Sequence, residues 1–200
     1  MKSLRFTLPF VLLSLSTLAS AQSDAHKLEA QKPDAPKSEA QVSFDTIKAL
    51  AGDWEGPVKT DMPEAMKKAM GDRGDIKPLH VSMRVTSRGN VLVHEFQESG
   101  TPLDATKYDH PVTMLYVDAG RLNLVHYCDA GNRPRMIGKM SPDGKKLEFE
   151  FSDLSGSNDH GHMHHSVFTI IDANHHTEEW TYMGPGDTPI HAFFDLHRTN

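Results

Sequence analysis

From His80 to Arg198 the sequence is a succession of short segments in which apolar and polar residues alternate, separated by tight turn signals. Alternation of period two sets one face of an extended segment against a core and the other toward solvent. Links this short leave no room for helical crossovers, so the segments are confined to antiparallel neighbours. His80 to Thr86 sets Val81, Met83 and Val85 against His80, Ser82 and Arg84, and Arg88-Gly89-Asn90 returns the chain into Val91 to Gln97. Thr113 to Val117 and Arg121 to Cys128 flank Asp118-Ala119-Gly120. Met136 to Met140 and Lys145 to Ser152 flank Ser141-Pro142-Asp143-Gly144, the strongest turn signal in the chain. Met163 to Ile171 and His175 to Met183 flank Asp172-Ala173-Asn174, and Ile190 to Arg198 comes last. With Trp54 to Val58 as a first strand, ten segments follow one another. A meander closing on itself is the simplest arrangement, an open Greek-key sandwich the rival.

The chain ahead of these strands divides in two. Lys2 and Arg5 precede an apolar run from Phe6 to Leu18 and then Ala19-Ser20-Ala21, the pattern of a secretory signal peptide over residues 1–21. The run is too short to span a membrane, and no second candidate follows. The mature protein is therefore expected to be soluble and secreted or periplasmic. Removing the leader leaves 19 basic residues against 27 acidic ones, a net charge of −8, which argues against nucleic acid as a partner. Residues 22–42 are Ala, Lys, Glu, Asp, Gln and Pro with almost nothing apolar, and are expected to form a disordered polar linker. The domain then spans residues 43–200. Its single cysteine, Cys128, allows no intramolecular disulfide, so the core alone must hold it. Phe44, Ile47, Leu50 and Ala51 recur at helical spacing, predicting a two-turn helix from Phe44 to Leu50 with Ser43 as N-cap, plugging one barrel end. Pro63 to Met70 is a second short helix candidate, with Met62, Met66 and Met70 along one face.

Trp54 stands in Gly52-Asp53-Trp54-Glu55-Gly56, where glycines on either side suit a strand whose backbone passes close to another element. Ala192, Phe194, Leu196 and Arg198 share one face of the last segment, placing Arg198 on the inner side. Together these resemble the Gly-x-Trp opening and last-strand Arg of the lipocalin-like (calycin) superfamily, in which that Arg packs over the Trp at the barrel end. A further pattern, His126-Tyr127-Cys128, Gly131-Asn132 and Pro134-Arg135-Met136, with Asp172, His175-His176 and Glu179-Trp180, resembles an uncharacterised family of exported bacterial proteins. The resemblance implies an all-β, up-and-down antiparallel barrel of about 8–10 strands with one or two short N-terminal helices. It carries no activity.

Two constellations could carry function. The face of Arg121 to Cys128 that bears Leu122 and Leu124 also bears His126 and Cys128, and Leu92, His94 and Phe96 share a face that can line the same lumen. His126 and Cys128 read either as a satisfied core pair or as part of a pocket for a small, largely apolar ligand. The pocket set is His94, Phe96, Leu124, His126, Cys128 and Trp180, with Asn132, Arg133 and Arg135 near the mouth. A Cys nucleophile is disfavoured, because side chains two apart on a strand are roughly 7 Å apart. No catalytic residue is assigned, an enzyme using His126, Cys128 or Glu178 ranking third. The other constellation is His160, His162, His164 and His165, facing His175 and His176 across a hairpin, a candidate for Zn, Cu or Ni. Alternation puts His162 and His164 on one side and Met163 and His165 on the other.

Overall fold

A computed structural model describes residues 36–64, 68 and 77–199. The expected leader, residues 22–35 of the expected linker, and Met66 and Met70 of the second helix candidate lie outside the described residues. Helix α1 (Glu39–Lys48) is followed by β1 (Gly52–Gly56), β2 (Val58–Thr60), β3 (Leu79–Thr86), β4 (Val91–Glu98), β5 (Val112–Asp118), β6 (Arg121–Tyr127), β7 (Arg133–Met140), β8 (Lys146–Ser155), β9 (His162–Asp172), β10 (His175–Gly184) and β11 (Thr188–Arg198). From β3 onward each strand pairs antiparallel with the next. β1 pairs with both β3 and β11, closing a ten-strand barrel, and β2 adds to β11 as an extra strand. The up-and-down barrel expected from the turn spacing is the fold.

Helix α1 begins five residues earlier than its apolar spacing predicts. Ser38 is the N-cap, its hydroxyl accepting from the Gln41 amide at 3.2 Å, while Ser43 sits inside the helix and donates to the Glu39 carbonyl at 2.8 Å. Polar pairing supports this extra turn: Asp45 accepts from Lys37 Nζ at 2.5 Å and from Gln41 at 3.0 Å. The linker thus yields residues 39–42 to the helix. Phe44, Ile47 and Leu50 are buried as expected, and α1 lies across the hairpin end of the barrel, where Lys48 reaches the Gly89 carbonyl at 3.4 Å.

The predicted first strand is broken. Pro57 separates β1 from β2 because it has no N–H for the ladder, although its carbonyl accepts from the Asp195 amide at 3.2 Å. Just before it, the backbone of Gly56 lies so close to the Asp195 carbonyl that any Cβ would collide with it. At the seam Trp54 pairs with Arg198 and is fully buried. The Arg198 guanidinium carbon sits 4.1 Å from the Trp54 ring centroid, inside cation–π range. Its nitrogens donate to the carbonyls of Ala51 at 2.9 Å and Ala49 at 3.4 Å, so one side chain caps both the tryptophan and the C-terminal end of α1. The indole Nε1 donates to the Leu50 carbonyl at 2.8 Å. Trp54→Ala should destabilise the protein by about 3–5 kcal/mol in chemical denaturation. An unchanged unfolding midpoint would contradict a ring buried at the seam.

Candidate functional site

Strand alternation turns His94 of β4, Thr113 of β5, His126 of β6, Ser166 of β9, and His176, Glu178 and Trp180 of β10 into the barrel. None of them is more than 2% exposed. Glu178 is their hub. His94 Nε2 lies 3.1 Å from each of its carboxylate oxygens, His176 Nε2 lies 3.0 Å from Oε1, and Trp180 Nε1 donates to Oε2 at 2.8 Å. Because a carboxylate only accepts, both imidazoles carry a proton on Nε2. Their Nδ1 atoms and Ser166 Oγ have no hydrogen-bond partner among the described residues. Beyond the Trp180 indole, whose centroid is 5.6 Å from His94 and 5.8 Å from His126, Thr113 Oγ1 meets His126 Nδ1 at 2.8 Å.

Burial pushes the Glu178 carboxyl up, but the charge of His94 and the hydrogen bonds from His176 and His94 outweigh it and hold the group well below the carboxylate range. Glu178 is therefore ionised inside the barrel. Burial, and after it the charge of His94, pushes His126 down from 6.5 to about 3, so this imidazole is neutral. The interior therefore holds a sealed charge at Glu178 and, on the other side of the Trp180 indole, a neutral imidazole packed between Phe96 and Trp180.

Of the expected pocket residues, His94, Phe96, Leu124, His126 and Trp180 face the interior. Phe96 approaches His126 at 6.4 Å and Trp180 at 6.2 Å between centroids, and Leu124 is fully buried. The ring of His126 is packed rather than open to a cavity. Two grooves on the outer wall, one of about 840 Å³ between α1 and the β7–β8 hairpin and one of about 390 Å³ over β2, β10 and β11, are not lined by His126.

Cys128 follows the end of β6, half-buried, with its sulfur within 4.8 Å of oxygens of Asp109 and Asp129, and burial pushes its thiol up. That is the protonated, unreactive form. Asn132 is buried but engaged elsewhere, donating to the carbonyls of Ser157 at 2.8 Å and Gly161 at 2.7 Å, which pins the β8–β9 link. Arg135 pairs with Asp153, and Arg133 reaches Ser155 at 3.3 Å. Both arginines are thus spent on the neighbouring strand β8 rather than on the surroundings of His126.

The histidine-rich segment does not converge. His162 Nε2 faces His164 Nδ1 at 3.1 Å, and both rings lie against Phe151, at 4.7 and 4.9 Å. His165 points to the outer wall, where Glu148 lies at 3.1 Å and Glu150 at 3.5 Å. His160 is exposed, and its carbonyl accepts from the Tyr182 hydroxyl at 2.5 Å. Met163 joins the core, so it and His165 face opposite ways, against the simple alternation. The cause is an irregular register: Thr181 pairs with His165 and Tyr182 with Met163, leaving His164 as the extra residue of a bulge.

The hub Glu178 and its partner His176 were not in the pocket set. Their signal was present, since His176, Glu178 and Trp180 occupy one face of a strand whose alternate residues pack the core.

No family model matches the chain, and no curated protein matches it. The fold is similar to that of the crystal structure of Rv2717c from M. tuberculosis, at 16% identity and a TM-score of 0.54, covering 79% of this chain and 98% of that one. A protein of unknown function from the DUF3598 family of Nostoc punctiforme aligns at 13% identity and a TM-score of 0.39, over 85% of this chain and 53% of that one. The first likeness supports a closed antiparallel β-barrel. At this identity it speaks for the fold alone.

The buried ionisable groups make a pH prediction. Between about pH 3 and 6.5 the unfolded chain binds a proton at His126 that the folded chain refuses, so stability rises with pH through that window and is lost as pH falls. Glu178, depressed in the folded state from its ordinary 4.5, adds stability that is fully present above 4.5 and is lost as pH drops toward its folded value. The melting temperature should therefore fall steadily below pH 6.5, and His126→Leu should flatten the decline between 6.5 and 4.5. An identical slope in wild type and variant would show that the imidazole is not buried neutral.

Proposed function

We propose that the protein is exported and binds a small, largely apolar molecule inside the barrel, beside His126, without transforming it. The observation that carries this reading is the placement of a neutral imidazole on the inner wall between aromatic rings. His126 Nδ1 meets the Thr113 hydroxyl at 2.8 Å, so Nε2 is the ring nitrogen left to address a ligand. Phe96 and Trp180 supply apolar surface, and the single polar nitrogen would fix orientation. The unpartnered Nδ1 atoms of His94 and His176 and the Ser166 hydroxyl add groups that a ligand or water would satisfy. Because Phe96 packs on His126, binding requires these interior side chains to part. Export rests on the leader pattern of residues 1–21. Among the described residues no helix is long and apolar enough to cross a membrane.

Native mass spectrometry of the mature chain, purified without a histidine tag, should detect an organic molecule bound one per chain. His126→Leu should keep the fold and lower occupancy at least tenfold. An apo mass alone, together with no saturable uptake of the apolar fluorophore 1-anilinonaphthalene-8-sulfonate, would refute the reading.

A further inference from the structure

We propose that His175, Asp195 and His197 form a binding site for a divalent transition metal of the zinc, copper and nickel class on the outer wall of the barrel. The site is separate from the interior groups and from the histidine-rich segment. It follows from strand register. β10 and β11 place His175 directly opposite His197, and Asp195, two residues before His197, shares the same outward face. The two imidazoles stack at 4.2 Å between centroids, 21° from parallel, and both turn Nε2 toward one carboxylate oxygen. That oxygen, Asp195 Oδ1, lies 2.7 Å from His175 Nε2 and 3.8 Å from His197 Nε2. One ligand atom from each of the three residues lies within 4.8 Å of the others.

Zinc bonds of about 2.0–2.2 Å to nitrogen and oxygen put tetrahedral ligand atoms roughly 3.3 Å apart, so closing the site takes side-chain movements on the order of 1 Å. Two neutral imidazoles and a carboxylate are the donor set that zinc, copper and nickel prefer over calcium or magnesium. The side chains are 29%, 43% and 62% exposed, so the cation reaches them without the desolvation cost of a buried charge, and the fourth position stays open to water. The strands beneath are held on both sides: β11 pairs with β10 and β1, and the Arg198 amide donates to the Asn174 carbonyl at 2.9 Å. Glu55, opposite His197 on β1, accepts from Ser99 Oγ at 2.7 Å, which keeps it from competing for His197. Among the described residues, the two other comparable clusters are poorer in the donors these metals favour. Glu148, Glu150 and His165 offer one imidazole, and Asp109, Cys128 and Asp129 none.

Titration calorimetry with Zn²⁺ at pH 7.5, on the mature chain without a tag, should give one ion per chain. Asp195→Asn and His197→Ala should each weaken binding tenfold or more, while His165→Ala and the double variant His162→Ala/His164→Ala bind as the parent does. Asp195→Asn, His197→Ala and His165→Ala should melt as the parent does, because those side chains lie on the outer face, whereas the double variant also removes the buried His162 and is compared by its metal binding at a temperature where it is folded. Co²⁺ absorption provides a second readout and should be lost in His197→Ala. Parent-like binding in Asp195→Asn and His197→Ala would overturn the proposal. So would a loss that follows His165 or the His162/His164 pair instead, or weak multi-site binding shared by every variant.

Discussion

The seam between β1 and β11 is the constraint on which the rest of the molecule depends. A meander of this length leaves two open edges unless its first and last strands meet, and closure abolishes both. Here they meet because Gly56 lets the backbones approach and because Arg198 lies over Trp54. The same contact continues inward. The Trp54 ring meets His176 edge-on at 4.2 Å, His176 holds Glu178, and Glu178 holds His94. One line of interactions therefore runs from the guanidinium that caps α1 to the middle of the lumen.

Closure explains how an ionised carboxylate persists at the centre of a core. A lone buried charge would be removed by protonation, but three N–H donors from β4 and β10 meet both oxygens of Glu178, and the charge of His94 lies beside it. Strands on opposite walls of an open sheet could not hold that geometry. The arrangement also sets the chemistry nearby, since the charge of His94 adds to burial in keeping His126 neutral. A neutral imidazole among Phe96 and Trp180 can orient a bound molecule by one hydrogen bond, and its low basicity ill suits it to take a proton.

Much of the fold was legible because its hairpins are tight and its faces clean. Leu147 and Phe149 against Glu148 and Glu150, or Phe194 and Leu196 against Asp195 and His197, leave one choice of inside. Reading failed where the backbone departs from regularity. Ser38 begins α1 through capping and polar pairs, which apolar spacing does not register. The bulge at His164 breaks the alternation there, so His162 and His164 stay together against Phe151 while His165 turns to the outer wall, away from them. Arg135 looked like a mouth residue only because the partner strand β8 and its Asp153 were unseen. The interior site was half legible. His94 and His126 followed from alternation, but Glu178 gains its meaning only from His94, 84 residues away in sequence.

The central claim is that the closed barrel seals an ionised Glu178 against donor imidazoles and keeps His126 uncharged in the same interior. Side-chain ¹⁵N–¹H correlation spectra of the histidines, recorded as a function of pH, test this most directly. His94 should show a protonated Nε2, and His126 should remain a neutral imidazole down to about pH 4. If His126 instead titrates near 6.5 like a solvated histidine, the lumen is open to water and the account of the interior fails.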